Sequence, residues 1–460
     1  MSETGIDPAT TDPATKIRRS RLVDIAPLVP LALVGLLAAR PVGDNSFIWH
    51  IRAGEAQIDV GRVLTEDVFS FTLLGEGWRT QSWLAELGYA VAESALGGLA
   101  WANWMILITG TAILGFVGIA VYRSIRSLMV MSLVLVIAVW LLGPFLQPRP
   151  VILSYLLLAM LVVTLQARPR LDWGVVPIIW IWSAVHGSWV LGIGLVVLEA
   201  FRTRDRRLFT VGAIAGVATL VTAHGFGTWQ IVLDFFESRE ALSMMQEWMP
   251  PAPQDIVQLP YLLIVAGIVV GGIRDRISVR DLVVLLPFLL FGLSSRRAVF
   301  PATIVLLPWA AMCLPIPRRK SASVPRSLVL GTGALLGLVA VLPMFVNPLG
   351  VLDETRFPSP ELVESLEGER LFHSIATGGY LIYADWPGRQ VYIDDRAELY
   401  GAGFFTEYRA VIAGRHAEAF TRWGVTGVVA EPSWPLVEVL INEGWLVRAE
   451  DEHFVALALR

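Results

Sequence analysis

Long apolar runs separated by short polar stretches dominate this chain from residue 24 to residue 346, and the pattern changes beyond that point. Runs of about 17–25 apolar residues are the length at which an α-helix crosses the hydrocarbon core of a bilayer. About eleven spans are predicted, at roughly 24–40, 101–121, 128–146, 151–167, 174–187, 188–201, 208–224, 259–273, 281–295, 298–316 and 327–346. The 174–187 and 188–201 pair is short, as in a tilted or re-entrant hairpin. Residues 41–100 form a long loop in which Phe47, Ile48, Ile51 and Ile58 give a short helix an apolar side. A second apolar segment in that loop starts at Trp83 and ends at Gly97–Gly98, and is read as an interfacial helix. Residues 225–258 form a second long loop, closed by Pro250, Pro251 and Pro253. In the tail, 347–460, apolar runs shorten to strand length. Val391–Ile393, Gly427–Val429, Leu446–Val447 and Phe454–Leu459 are predicted strands, and 403–413, 416–423 and 434–443 predicted helices. The expected fold class is an α-helical polytopic membrane protein with a small C-terminal α/β domain.

Charge placement adds an orientation. Of the 460 residues 55% are hydrophobic and only 17% charged, and the mean hydropathy of +0.61 is that of a membrane protein. Basic residues cluster at Lys16–Arg21, Arg123 with Arg126, Arg168 with Arg170, Arg202–Arg207, Arg274–Arg280 and Arg318–Arg326. Threaded through eleven spans, these clusters share one side, which the positive-inside rule makes cytoplasmic. The N-terminal segment 1–23 is then cytoplasmic and disordered, and the tail with the 41–100 and 225–258 loops is extracytoplasmic. No small-residue cleavage site follows the first apolar run, so an uncleaved span is expected. The net charge of −4 is segregated by side, and no basic run points to nucleic acid. Cys313 is the only cysteine and only 6 His are present, which disfavours a disulfide framework or a zinc enzyme. Gly331-Thr-Gly333 and Gly192-Ile-Gly194 lie inside apolar runs, so neither is a phosphate loop.

The chemistry-bearing residues concentrate in the first loop. It reads Asp44-Asn-Ser-Phe-Ile-Trp-His50, then Gly54, then Thr65-Glu66-Asp67-Val-Phe69-Ser70-Phe-Thr72, then Trp78 and Trp83-Leu-Ala-Glu86. This series resembles the first loop of GT-C glycosyltransferases. It is closer still to a large group of bacterial polytopic membrane proteins, many without an assigned activity. The tail, with Gly378-Gly379-Tyr380-Leu381 and Val391-Tyr-Ile-Asp394-Asp395-Arg396, resembles the same group. The resemblance implies a GT-C-like helical bundle in a bacterial plasma membrane and a polyprenyl-phosphate-linked sugar donor. It also implies a cell-envelope glycan, lipid or protein as acceptor. By resemblance, Asp44 maps to the catalytic acidic residue and is the expected general base, and Glu66 and Asp67 map to the second acidic position, expected to place the acceptor or a metal.

The residues themselves support such chemistry. A carboxylate can take the proton of an attacking hydroxyl, and a departing lipid phosphate needs cationic partners. Arg149, His186, Arg296 and Arg297 all fall on the Asp44 side and are candidates for that phosphate. Each also reads as an interfacial side chain, and Asp44 as a helix cap. His50, Glu86, Glu247, Asp395 and Arg396 are candidate acceptor contacts, with solvated loop acids and strand-end charges as the plain alternative. Asp44 and Asp67 are also a donor set for Mg²⁺ or Mn²⁺. A transporter or flippase explains the spans equally well, but charge is nearly absent from the predicted midplanes, and translocation paths are usually polar there. A non-catalytic scaffold is the third reading.

Overall fold

The computed structural model describes residues 28–237, 242, 246–252, 258–314 and 341–459. The expected disordered segment 1–23, the basic clusters Lys16–Arg21 and Arg318–Arg326, and most of the expected span 327–346 lie outside these residues. The chain is mostly helical with one small sheet. Helices stand where the apolar runs do: Leu28–Ala38, Ala100–Ile125, Leu128–Leu142, Pro150–Gln166, Val175–Val185, Trp189–Thr203, Arg206–Ala218, Leu259–Ile273, Leu282–Ser294 and Val299–Cys313.

Their lengths differ from the expected spans. Among the described residues, Ala100–Ile125 (26 residues) and Leu128–Phe145 (18 residues) are long and apolar enough to cross a membrane. The other helices are cut short by local stops. Arg204 caps its helix in the left-handed region at φ 54°, and Pro150, with no amide to donate, stands at the first position of its helix. Eleven and fifteen residues, as in Val175–Val185 and Trp189–Thr203, rise about 1.5 Å each, less than the roughly 30 Å of a hydrocarbon core. Length therefore supports membrane association through two helices, not a bundle of eleven full spans.

These helices share a core that includes Ile113, Val121, Leu142, Leu158, Phe300 and Leu306. At one end, arginines of three basic clusters tie neighbouring segments together. Arg123 donates to the carbonyl of Val163 at 3.0 Å. Arg168 pairs with Asp172 at 2.9 Å and with Asp205, and Arg202 with Asp281 at 3.0 Å.

A second core lies at the other end, where the first loop and the tail pack as one body. Val42, Phe47, Ile48 and Phe69 meet Leu366, Leu381 and Val391 there. In the loop, the helices Asn45–Val60 and Trp83–Leu96 form as expected, the second closed by Gly97 at φ 64°. The tail builds a sheet in the order β1-β2-β4-β3 from Leu371–His373, Gly427–Ala430, Leu446–Glu450 and Val455–Ala458. β1 and β2 run parallel and the other pairs antiparallel. The helices Ala397–Ile412, Ala417–Trp423 and Pro435–Asn442 flank it. The expected strand Val391–Ile393 is not in this sheet. Val391 instead bridges Ser70 of the first loop, its N–H donating to Phe69 O at 2.9 Å and its carbonyl accepting from Phe71 at 3.0 Å. The unforeseen helix Ile375–Asp385 packs on Asn45–Val60. Gly379 permits that approach, since a Cβ there would lie 2.5 Å from the carbonyl oxygen of Asn45.

Candidate functional site

Asp44 has an extended backbone and ends the segment before Asn45–Val60. Its Oδ1 accepts from the Phe47 amide at 2.8 Å, satisfying one orphan donor of the helix. Its Oδ2 accepts from Arg149 Nε at 2.5 Å. Arg149 stands at the N-cap of Pro150–Gln166, so the pair ties the first loop to the helical core. Arg149 Nη1 also donates to Glu247 Oε1 at 3.3 Å, and Arg297 Nη1 to Glu247 Oε2 at 3.3 Å. The Arg297 guanidinium lies over Trp248, 5.3 Å from the ring centroid. Burial would raise the Glu247 carboxyl, but Arg297 and Arg149 outweigh it and hold the group below the usual carboxylate range. Burial would lower Arg149, but Asp44, then Glu247 and Asp395, outweigh it and keep the guanidinium charged.

Arg149, Arg297 and Trp248 border a cavity of about 330 Å³, with Asp44 and Glu247 behind them. Val151, Leu158, Leu191, Ile231 and Val232 make one wall apolar, and Trp49, Trp78, Trp182 and Trp248 supply aromatic faces. The polar lining includes Arg149, Arg297, Arg396, His50, His186, Asp395 and Glu398. Asp395 Oδ1 accepts from the Trp49 indole at 2.7 Å, and Glu398 Oε1 from the Trp78 indole at 3.1 Å. Enclosure pushes both carboxyls up; for Asp395 the nearby Arg149 pulls the other way without cancelling the shift. Perturbed carboxyls in a cleft are what proton transfer near neutral pH requires.

The structure thus brings together Asp44, Arg149, His186, Arg297, His50, Glu247 and Asp395 from six separate segments. Asp44 itself stands behind Arg149: it is 4% exposed, both of its oxygens are engaged, and it does not line the cavity. Glu66 faces away and pairs with Arg62 at 3.0 Å on the surface. Arg296 is not in the lining, and its amide donates to Met249 O at 2.9 Å.

Asp67 and Arg396 belong to a buried brace. Asp67 accepts from the amides of Phe69 and Ser70, both at 3.1 Å, and pairs with Arg396 Nη1 at 2.7 Å. Arg396 also grips Asp394 in a bidentate pair at 2.8 and 2.6 Å, and its guanidinium sits 4.6 Å from the Trp78 centroid and 5.3 Å from that of Phe69. Asp44 and Asp67 therefore occupy separate ion pairs, and no group of three His, Cys, Asp or Glu side chains among the described residues gathers to hold a metal ion. The Mg²⁺ or Mn²⁺ reading finds no shared donor set in this pair.

Glu398 was not singled out in the sequence. Its one signal is its place in the polar run Asp394-Asp-Arg-Ala-Glu398, four residues after Asp394. The roles of Trp49 and Trp78 as donors to these acids were equally unforeseen, although both stand in the first-loop series. No family model matches the chain, and no curated protein matches it.

Proposed function

We propose that this chain is a membrane-embedded transferase of the GT-C kind. In this reading it moves a sugar from a polyprenyl-phosphate carrier to a hydroxyl acceptor on the extracytoplasmic side. The observation that carries the reading is the convergence of Arg149 and Arg297 on one carboxylate, Glu247, beside a cavity with one apolar wall. Two guanidiniums set to share a bidentate anion suit a phosphate, and the apolar wall suits the first isoprene units. Glu247 occupies the anion position, so an incoming phosphate takes over its hydrogen bonds. Asp395 and Glu398 bring the tail into the cavity lining, and in this reading they face the acceptor. A cytoplasmic side at the end of the bundle away from this cavity fits the gathering there of Arg123, Arg168 and Arg202.

Decaprenyl phosphate titrated against detergent-purified protein, followed by native mass spectrometry, tests the proposal. Saturable binding that is weakened in Arg149→Ala and Arg297→Ala is expected. Binding by wild type that neither substitution alters, or no binding at all, overturns it.

A further inference from the structure

The first-loop series contains a histidine and a glutamate 36 residues apart in sequence that the fold joins. His50 Nδ1 lies 2.8 Å from Glu86 Oε1. The Thr80 hydroxyl donates to the same oxygen at 2.5 Å, and Gln57 Nε2 to the other at 2.6 Å. Glu86 is 0% exposed and receives donors on both oxygens, the pattern of an ionised carboxylate. Nδ1 then carries its proton toward Glu86, which in the neutral ring leaves the lone pair on Nε2. Among the described residues no side chain bonds Nε2, while the ring lines the cavity and stacks on Trp49 at 3.8 Å between centroids.

The local sequence is arranged for this contact. His50, Gly54 and Gln57 fall on one face of Asn45–Val60. Gly54 is the point of closest approach, because a Cβ there would stand 2.0 Å from the carbonyl oxygen of Glu86. The glycine lets Trp83–Leu96 come near enough for Glu86 to reach the imidazole. A purely structural pair would not need its ring in the cavity wall beside Asp395.

We infer that His50, oriented by Glu86, is the proton acceptor of the transfer reaction, with Nε2 receiving the proton of the attacking hydroxyl. This rests on the transferase reading above. In the step, the acceptor O–H bond breaks and its proton passes to Nε2. The acceptor oxygen bonds to the anomeric carbon, and the bond from that carbon to the phosphate oxygen breaks. The electron pair leaves on the phosphate, between Arg149 and Arg297. The imidazolium that forms is held by the Glu86 carboxylate until its proton passes to water. His50 is then the catalytic residue, Glu86 a positioning residue, and Asp395 orients the hydroxyl.

The test uses full-length protein and two probes: decaprenyl phosphate for binding, and radiolabelled decaprenyl-phosphate-linked hexose, with membranes of the native cell as acceptor source, for transfer. His50→Ala should bind decaprenyl phosphate as wild type does and lose transfer by on the order of 10²-fold or more. Added imidazole should restore part of the rate. Glu86→Gln should lower kcat with little change in KM, and should cost nothing further in the His50→Ala background, since it acts through the ring. Near-normal transfer by His50→Ala, or additive losses in the double variant, overturns the dyad and leaves the transferase reading standing. Wild-type protein that binds decaprenyl phosphate but transfers nothing overturns both. A His50→Ala protein that no longer binds the lipid also overturns the dyad, because it makes the ring a structural element.

Discussion

Arg149 divides one guanidinium between a helix-capping aspartate and a loop glutamate, and the two contacts differ in kind. The Asp44 bond at 2.5 Å is short and buried, whereas the Glu247 bond at 3.3 Å is long and its partner carboxylate is half-exposed. Asp44 thus fixes the arginine, and Glu247 is the ligand that can be replaced. Arg149→Ala should weaken decaprenyl phosphate binding roughly 10- to 100-fold, as loss of a charge-assisted contact of about 1.5–3 kcal/mol implies. Glu247→Ala should strengthen it, because the competing anion is gone. Isothermal titration of both variants checks the opposed signs. A second residue-level prediction concerns Asp395, whose folded-state pKa is raised. The associated stability is complete below the unfolded pKa and is lost as pH rises through the folded one. Asp395→Asn should therefore melt above wild type at about pH 8 and converge with it at about pH 4. Differential scanning fluorimetry across that range reads the gap, and a constant gap would contradict it. That Asp44 is acidic, at a helix start and on the site's side was legible in the sequence. That its carboxylate would be consumed by a neighbouring arginine was not, because Arg149 arrives from a helix 105 residues away.

The helices were legible where hydrophobicity alone decides them and less so where backbone contact does. Apolar runs such as Ala100–Ile125 and Leu259–Ile273 declare themselves. Ile375–Asp385 did not, because Gly378-Gly379 reads as a turn when the neighbour that requires it is unseen. Both glycines are crossing points: a Cβ on Gly378 would lie 1.9 Å from the carbonyl oxygen of Ile393. β1 was missed because Leu371–His373 spans only three residues, too few for an alternation to show. Val391–Ile393 was recognised as extended, but its partner is Ser70 in the first loop rather than the tail sheet. Strand propensity carries no address, and pairing is a tertiary fact. The element-level prediction follows from Gly54. Gly54→Ala must push Trp83–Leu96 away from Asn45–Val60, at a cost of about 1–3 kcal/mol. The melting temperature should fall by several degrees, and transfer should fall further than stability alone explains, since Glu86 is drawn off His50.

At the scale of the whole molecule, the division at residue 347 is a boundary of composition but not of packing. Val42 pairs with Val351 and Asp353 through backbone bonds of 2.8 and 3.0 Å, and the tail completes the core of the first loop. Composition could not reveal this, because each partner alone resembles an ordinary surface loop or a small α/β unit. A chain ending at residue 350 should therefore lose decaprenyl phosphate binding, and limited proteolysis should cut it within residues 61–82. Sidedness is testable separately. In a Cys313→Ser background, cysteines at the exposed positions Gly75 and Ser433 should react with an impermeant thiol reagent on intact cells. Cysteines at Arg123 and Arg204 should not, and reaction at Arg204 would reverse the proposed orientation. The Trp49–Asp395 bond joins groups 346 residues apart, and Asp67 meets its guanidinium across almost the same stretch of chain. In the proposed topology the first loop is made and moved across the membrane well before its partners at 394–398 are synthesised. Until the final quarter has followed, Asp67 has no countercharge and the cavity lacks a wall. On the transferase reading, a chain stopped before residues 391–398 would hold the first loop without Asp395, Arg396 and Glu398, and should carry no activity.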